Sequence, residues 1–182
     1  TIKTVDIKTG TIPEGLNCLI IPRPLEKFSD YELFQIDQAL MKGTNIAFIS
    51  DSFSTPTNQA AMMGMPPAPQ PIDTGIEKLL THYGINVPNA YVLDKKCYKH
   101  QSSESGGMQN IYFAPQLEKS SINNEPEFMS NIKALITMQI SPLTLVEENF
   151  DKDKLSAVKL LSSSDESWLM EGNINLHPMF LN

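Results

Sequence analysis

At 182 residues, 41% of them hydrophobic and 19% charged, the chain has enough material to bury a core as one domain and lacks the composition of a disordered segment. Its formal net charge of −7, with no block of Lys or Arg, excludes nucleic acid as a partner, because such binding needs a basic surface that releases counterions. The stretch contains no apolar run long enough to span a bilayer and no secretory leader pattern.

The chain opens on Thr1, and residues 2–7 alternate apolar and polar side chains like a strand already under way, so a soluble fragment of a longer protein is expected. Leu16-Asn17-Cys18-Leu19-Ile20-Ile21, closed by Pro22-Arg23-Pro24, reads as a buried strand. Ser29-Asp30-Tyr31-Glu32 sets a hydroxyl three residues before a carboxylate, the spacing that lets each satisfy a free amide of a helix start, and predicts a helix from Asp30. Tyr31, Leu33, Phe34, Ile36, Leu40 and Met41 follow the period of one buried face, and Gly43 supplies a left-handed stop. Ile46-Ala47-Phe48-Ile49 is the next buried strand, so strand, helix and strand predict a parallel βαβ unit.

Residues 52–72 form a long loop containing Pro56, Pro66, Pro67, Pro69 and Pro71 together with Met62, Met63 and Met65. It is either a plain surface excursion or a partner-contacting loop whose Met side chains adapt to what they meet. Thr74 with Glu77 predicts the cap of a second helix, with Ile76, Leu79, Leu80 and Tyr83 inward and Gly84 at its end. Tyr91-Val92-Leu93 follows as a strand that closes on Asp94. Residues 95–109 are polar, with a flexible turn of Ser102, Ser103, Ser105, Gly106 and Gly107; 111–113, 132–140 and 155–161 read as strands. The pattern predicts a single α/β domain over 1–182, with a mostly parallel sheet flanked by helices and a more β-rich C-terminal half.

In an open parallel sheet, ligands collect beyond the carboxyl ends of the strands, which makes Arg23, Asp51, Ser52 and Asp94 the candidate binding crevice. Asp51 is either a carboxylate at the switch point or a turn residue bonded to local amides. No phosphate-binding glycine loop and no nucleophile elbow occur, so neither ATP hydrolysis nor a catalytic residue is assigned, and no cofactor or metal is expected. Cys18 reads as inert strand packing and Cys97-Tyr98-Lys99-His100 as a surface loop, since one thiol and one imidazole do not complete a zinc site. His82 suits the C-terminal end of the second helix. Trp168, after Ser162 to Ser167, is either a binding anchor or a cover over a sheet edge.

Three segments carry a resemblance. The run from Phe28 to Gly43 with Asn45-Ile46-Ala47-Phe48-Ile49-Ser50-Asp51, the run Gly75 to Ile85 with Val92-Leu93-Asp94, and Leu160-Leu161-Ser162-Ser163-Ser164-Asp165-Glu166-Ser167-Trp168 together resemble the auxiliary ABC-transporter family associated with gliding motility. The resemblance implies a flavodoxin-like or class I glutamine amidotransferase-like sandwich, also found in some intraflagellar transport proteins, without the amidotransferase cysteine. It also implies a non-enzymatic extracytoplasmic domain on the periplasmic face of a bacterial inner membrane. Transmembrane helices outside this chain would anchor it, and an ABC permease and a separate ATPase would be its partners. The remaining readings of the residues are a hydrolase with its site at the strand ends, using Asp51, Asp94 or His82, and a carbohydrate-binding module using Trp168 and nearby tyrosines.

Overall fold

The computed structural model describes residues 2–54, 69–101, 106–149, 155–176 and 181. They fall into two compact units. The first draws its described residues from Thr1–Thr55, Gln70–Val87 and Thr144–Asp151, the second from Pro56–Pro69, Pro88–Leu143 and Lys152–Asn182.

In the first unit, strand β1 (Cys18–Pro22) leads into helix α1 (Asp30–Met41) and back to strand β2 (Asn45–Ile49), and the two strands pair in parallel from Cys18 opposite Asn45 to Pro22 opposite Ile49. The helix starts where its local chemistry demands. Ser29 Oγ accepts from the Glu32 amide at 3.2 Å, and the Glu32 carboxylate accepts from the Ser29 amide at 2.6 Å and the Ser29 hydroxyl at 2.7 Å. It ends at Gly43, whose φ of +92° lets Gly43 N donate to Leu40 O and Thr44 N to Ala39 O, closing the last turn. Strands β3 (Phe53–Ser54) and β4 (Gln70–Pro71) form a short antiparallel pair. Helix α2 (Ile76–His82) follows, and strand β5 (Ile85–Asn86) pairs antiparallel with a strand at Thr144–Leu145. Leu33, Ile36, Ala39, Phe53, Ile76 and Leu79 are its buried apolar residues.

The second unit is built around strand β6 (Ala90–Asp94), buried along its whole length. Strands β7 (Cys97–Gln101) and β8 (Met108–Leu117) form an antiparallel pair, which β9 (Leu135–Ile136) extends on the far side of β8. After β10 (Thr144–Leu145, the partner of β5 in the first unit), β11 (Ser167–Glu171) pairs antiparallel with β6, Ser167 opposite Asp94. Val92 N donates to Ile140 O at 2.9 Å, so β6 has a second main-chain contact besides β11. Leu117, Ile122 and Met129 make an apolar cluster, with Ile132 and Leu160 packed against it.

The expected mostly parallel, flavodoxin-like or amidotransferase-like sandwich is therefore not the fold. Among the described residues the sheets are one parallel pair, β1 with β2, and four small antiparallel ones. A parallel sandwich covers both faces of every strand, but β1 and β2 leave Cys18, Ile20 and Ile49 exposed. The second expected crossover fails because the chain before α2 is the hairpin strand β4, while β6, after it, pairs antiparallel with β11.

Other expectations change too. Residues 2–7 and 155–161 are not in strands; the latter carry a single-residue bridge from Leu161 to Ile122. Of 132–140, only Leu135–Ile136 is strand, and Gln139 takes a positive φ of 52°. Residues 97–101, read as part of a polar surface loop, are strand β7. On α1 the buried residues are Glu32, Leu33, Gln35, Ile36 and Ala39, whereas Tyr31, Phe34 and Met41 are exposed. The cap of α2 is Gly75, at φ +78°, and not Thr74, although Thr74 and Glu77 still hydrogen-bond to one another.

The Glu32 carboxyl lies below its ordinary range, first because the Ser29 amide donates to it and then because the Ser29 hydroxyl does. A carboxyl depressed on folding stabilises above its unfolded pKa and loses that contribution as pH falls through the folded one. Glu32→Gln keeps an acceptor but no charge. The melting-temperature gap between the native chain and this variant should hold steady at neutral pH and close as pH drops below the ordinary glutamate value of about 4.3. A gap that stays constant down to acid pH would refute the assignment.

Candidate functional site

The expected crevice residues separate into two settings. Arg23, Asp51 and Ser52 belong to the first unit, at the carboxyl ends of β1 and β2. Arg23 N donates to Ile49 O at 2.6 Å, which carries the parallel ladder one residue past Pro22. To do so Arg23 adopts φ +43°, a left-handed conformation that a side chain with a Cβ enters at a cost. Its Nε donates to Asp51 Oδ2 at 2.8 Å. Both side chains are at least half exposed, so the pair contributes at most about 1 kcal/mol to stability. What it does is present a joined guanidinium and carboxylate at the strand ends. Ser52 is buried, and its carbonyl accepts from Ile72 N at 3.0 Å, a main-chain contact that holds the start of the β3–β4 hairpin.

Asp94 belongs to the second unit and is 0% exposed. Its Oδ1 accepts from Lys96 N at 2.8 Å and Ser164 Oγ at 2.6 Å, and its Oδ2 accepts from Ser164 N at 2.8 Å. These donors come from the turn after β6 and from the segment leading into β11. The carboxyl group is thus occupied by its own fold.

The other chemistry-bearing side chains are dispersed. Cys18 is exposed rather than packed, and Cys97 is buried rather than superficial; both are free thiols. Burial pushes the Cys97 thiol up, away from the thiolate form that a nucleophile requires. His100 is exposed on β7, and among the described residues no three His, Cys, Asp or Glu side chains are grouped to hold a metal ion. His82 stands edge-on to Tyr83 with ring centroids 5.2 Å apart. The Tyr83 hydroxyl donates to Asp37 Oδ1 at 2.8 Å, and burial first, then that bond, raises its pKa to about 12. Trp168 lies on β11 with its ring 5.4 Å from that of Tyr112 on β8. Met62, Met63 and Met65, and with them His177, lie outside the described residues.

Two residues escaped sequence reasoning. Ser164 is the hydrogen-bonding partner of Asp94 across 70 positions, which no local pattern can announce. Gln35 is buried on α1; its signal is the spacing of Glu32, Gln35, Ile36 and Ala39, which keeps helical period once polar residues are admitted to the inner face.

A model of the family described as "ABC-type uncharacterized transport system" matches residues 1–181. Among solved structures, the fold is similar to that titled "mmIFT52 N-terminal domain", with a TM-score of 0.55 and 17% identity over 92% of this chain and 64% of that one. The chain thus spans less than two thirds of that structure, and the likeness is one of fold. No curated protein matches. Among the described residues, no helix is long and apolar enough to cross a membrane.

Proposed function

From the premise that this chain belongs to the ABC-type uncharacterized transport system family, we propose that it is a non-catalytic interaction module of an ABC transport assembly. The match over residues 1–181 carries the reading, since it takes in nearly the whole chain. The chemistry of the side chains supports the same direction. The buried carboxyl of Asp94 is engaged by three internal donors, and the Cys97 thiol is held protonated by burial. In the parent protein the module stands on the periplasmic face of a bacterial inner membrane, anchored by helices supplied by the parent chain, and works beside a permease and a separate ATPase. The association with gliding motility belongs to this proposal as well. Arg23 and Asp51, exposed at the ends of the parallel strands, are the contact point we assign to the partner, with Met62, Met63 and Met65 as a second candidate contact.

The test is purification of the full-length parent protein from gently solubilised membranes. An ABC permease and an ATPase should co-purify, and Arg23→Ala with Asp51→Ala should reduce their recovery several-fold while the melting temperature holds. Clean recovery of the protein alone from the native membrane would overturn the reading.

A further inference from the structure

Among the described residues, strand β11 has one strand partner, β6. The direction of its main-chain groups follows from the bonds around that pair. Lys95 N donates across it to Glu166 O at 3.5 Å, whereas Val92 N turns the other way, to Ile140 O at 2.9 Å. With Ser167 opposite Asp94, this alternation points the amides and carbonyls of Trp168 and Met170 at β6 and those of Ser167, Leu169 and Glu171 away from it. Ser167 N agrees, since it donates to Ser164 O at 3.1 Å. Among the described residues no other main-chain bond engages the outward groups, so the Leu169 amide and carbonyl, the Ser167 carbonyl and the Glu171 amide are unpaired.

Edge strands are usually blunted by Lys, Pro or a bulge. β11 has neither residue and its register with β6 is unbroken, while Trp168 and Leu169 are 37% and 46% exposed. Such an edge accepts an extended strand, and Ser167-Trp168-Leu169-Met170-Glu171 complements itself. Laid antiparallel about a two-fold axis at Leu169, each Leu169 faces Leu169 of the second copy and the two exchange both of their main-chain bonds. Each Glu171 amide then meets a Ser167 carbonyl. Glu171 lies opposite Ser167, so no two carboxylates meet. Ser163 and Ser167 share a hydrogen bond in which either is the donor, which leaves the Ser167 hydrogen for that carboxylate. On the other face Trp168, its ring 5.4 Å from that of Tyr112, lies opposite Met170, a favourable thioether–aromatic pair. Long-range charge favours the same place. The net charge of −7 lies almost entirely in the first unit, so two copies meet through the second with least repulsion.

We propose that β11 pairs antiparallel with β11 of a second copy of this chain, centred on Leu169, and joins the two β6–β11 pairs into one sheet. The surface is separate from Arg23 and Asp51, which belong to the first unit. It does not rest on the transport reading: self-association can fail while a permease co-purifies, and the reverse.

Analytical ultracentrifugation of the full chain between about 5 and about 500 μM tests it, and should show a monomer–dimer equilibrium with a Kd of about 100 μM or tighter. Over that range hydrogen exchange at the Leu169 and Glu171 amides should slow by at least about threefold. Leu169→Pro removes an outward N–H, which an edge strand tolerates, and should weaken association at least about tenfold with a near-native melting temperature. Register is read by oxidation in a Cys18→Ser background. Leu169→Cys should give a disulfide-linked dimer, because a hydrogen-bonded antiparallel pair sets its Cα atoms about 5.5 Å apart. Glu171→Cys, placed about four residues from its own copy, should not. A monomer throughout the range, a dimer equally tight in Leu169→Pro, or cross-linking at 171 as efficient as at 169 would each overturn the proposal. Protection of the two amides only when another protein is added would assign the edge to a foreign strand and overturn it as well.

Discussion

Replacing Asp94 by Ala should lower the unfolding free energy by about 2–4 kcal/mol. The side chain is wholly buried, and its loss strands two main-chain donors, Lys96 N and Ser164 N, with the Ser164 hydroxyl. A donor left without a partner costs about 1–3 kcal/mol when it is shut from water and less where water reaches it, as it can at exposed Lys96 and half-buried Ser164, while the hydroxyl is free to rotate toward another acceptor. Asp94→Asn keeps one acceptor oxygen but turns an N–H₂ toward an N–H, so it should cost roughly half as much. Ser164→Ala, which removes a hydroxyl that donates to Asp94 and accepts from Glu166 N, should cost about 1 kcal/mol. The order Ala, then Asn, then Ser164→Ala is read from urea midpoints at unchanged m-value. For a chain of this size, Asp94→Ala should melt about 4–16 °C lower. A loss within about 1 kcal/mol would mean that the carboxyl group does not join the two segments.

Ile36→Ala should cost about 2–5 kcal/mol, the range for removing a large aliphatic side chain from a filled core. Ile36 is 0% exposed on the inner face of α1, and alanine improves helix propensity, so the whole penalty comes from lost packing. Tyr31→Ala on the same helix should stay within about 1 kcal/mol, because Tyr31 is exposed. The pair decides which face of α1 is buried. Equal losses, or a larger loss at Tyr31, would reverse the assignment.

These two variants mark how far the residues speak for themselves. The start of α1 was legible because Ser29 and Glu32 meet across one turn, and both helix ends because Gly43 and Gly84 reach positive φ without strain. The face of α1 was not legible. Tyr31, Phe34 and Met41 have helical spacing and apolar character, yet Glu32 and Gln35 went inside, because capping satisfies Glu32 and the Ile7 carbonyl holds Gln35. The β1 run of Leu19, Ile20 and Ile21 looks buried on both faces by composition alone, and alternates once placed in a two-stranded pair. Of the expected crevice, Arg23 and Asp51 do meet, whereas Asp94 belongs to another unit and binds Ser164.

The sequence by itself determined the family, the start of α1 and the glycine stops of both helices, for caps and stops depend on residues within four positions of one another. The tertiary structure alone decided strand direction, which apolar residues face solvent, and that residues 92–94 and 160–168, read separately as marks of kinship, are joined through β6, β11 and the Asp94–Ser164 bonds. The physical reason is range. A cap is closed by its neighbours, but a strand's hydrophobic period is the same whichever partner it pairs with and in whichever direction.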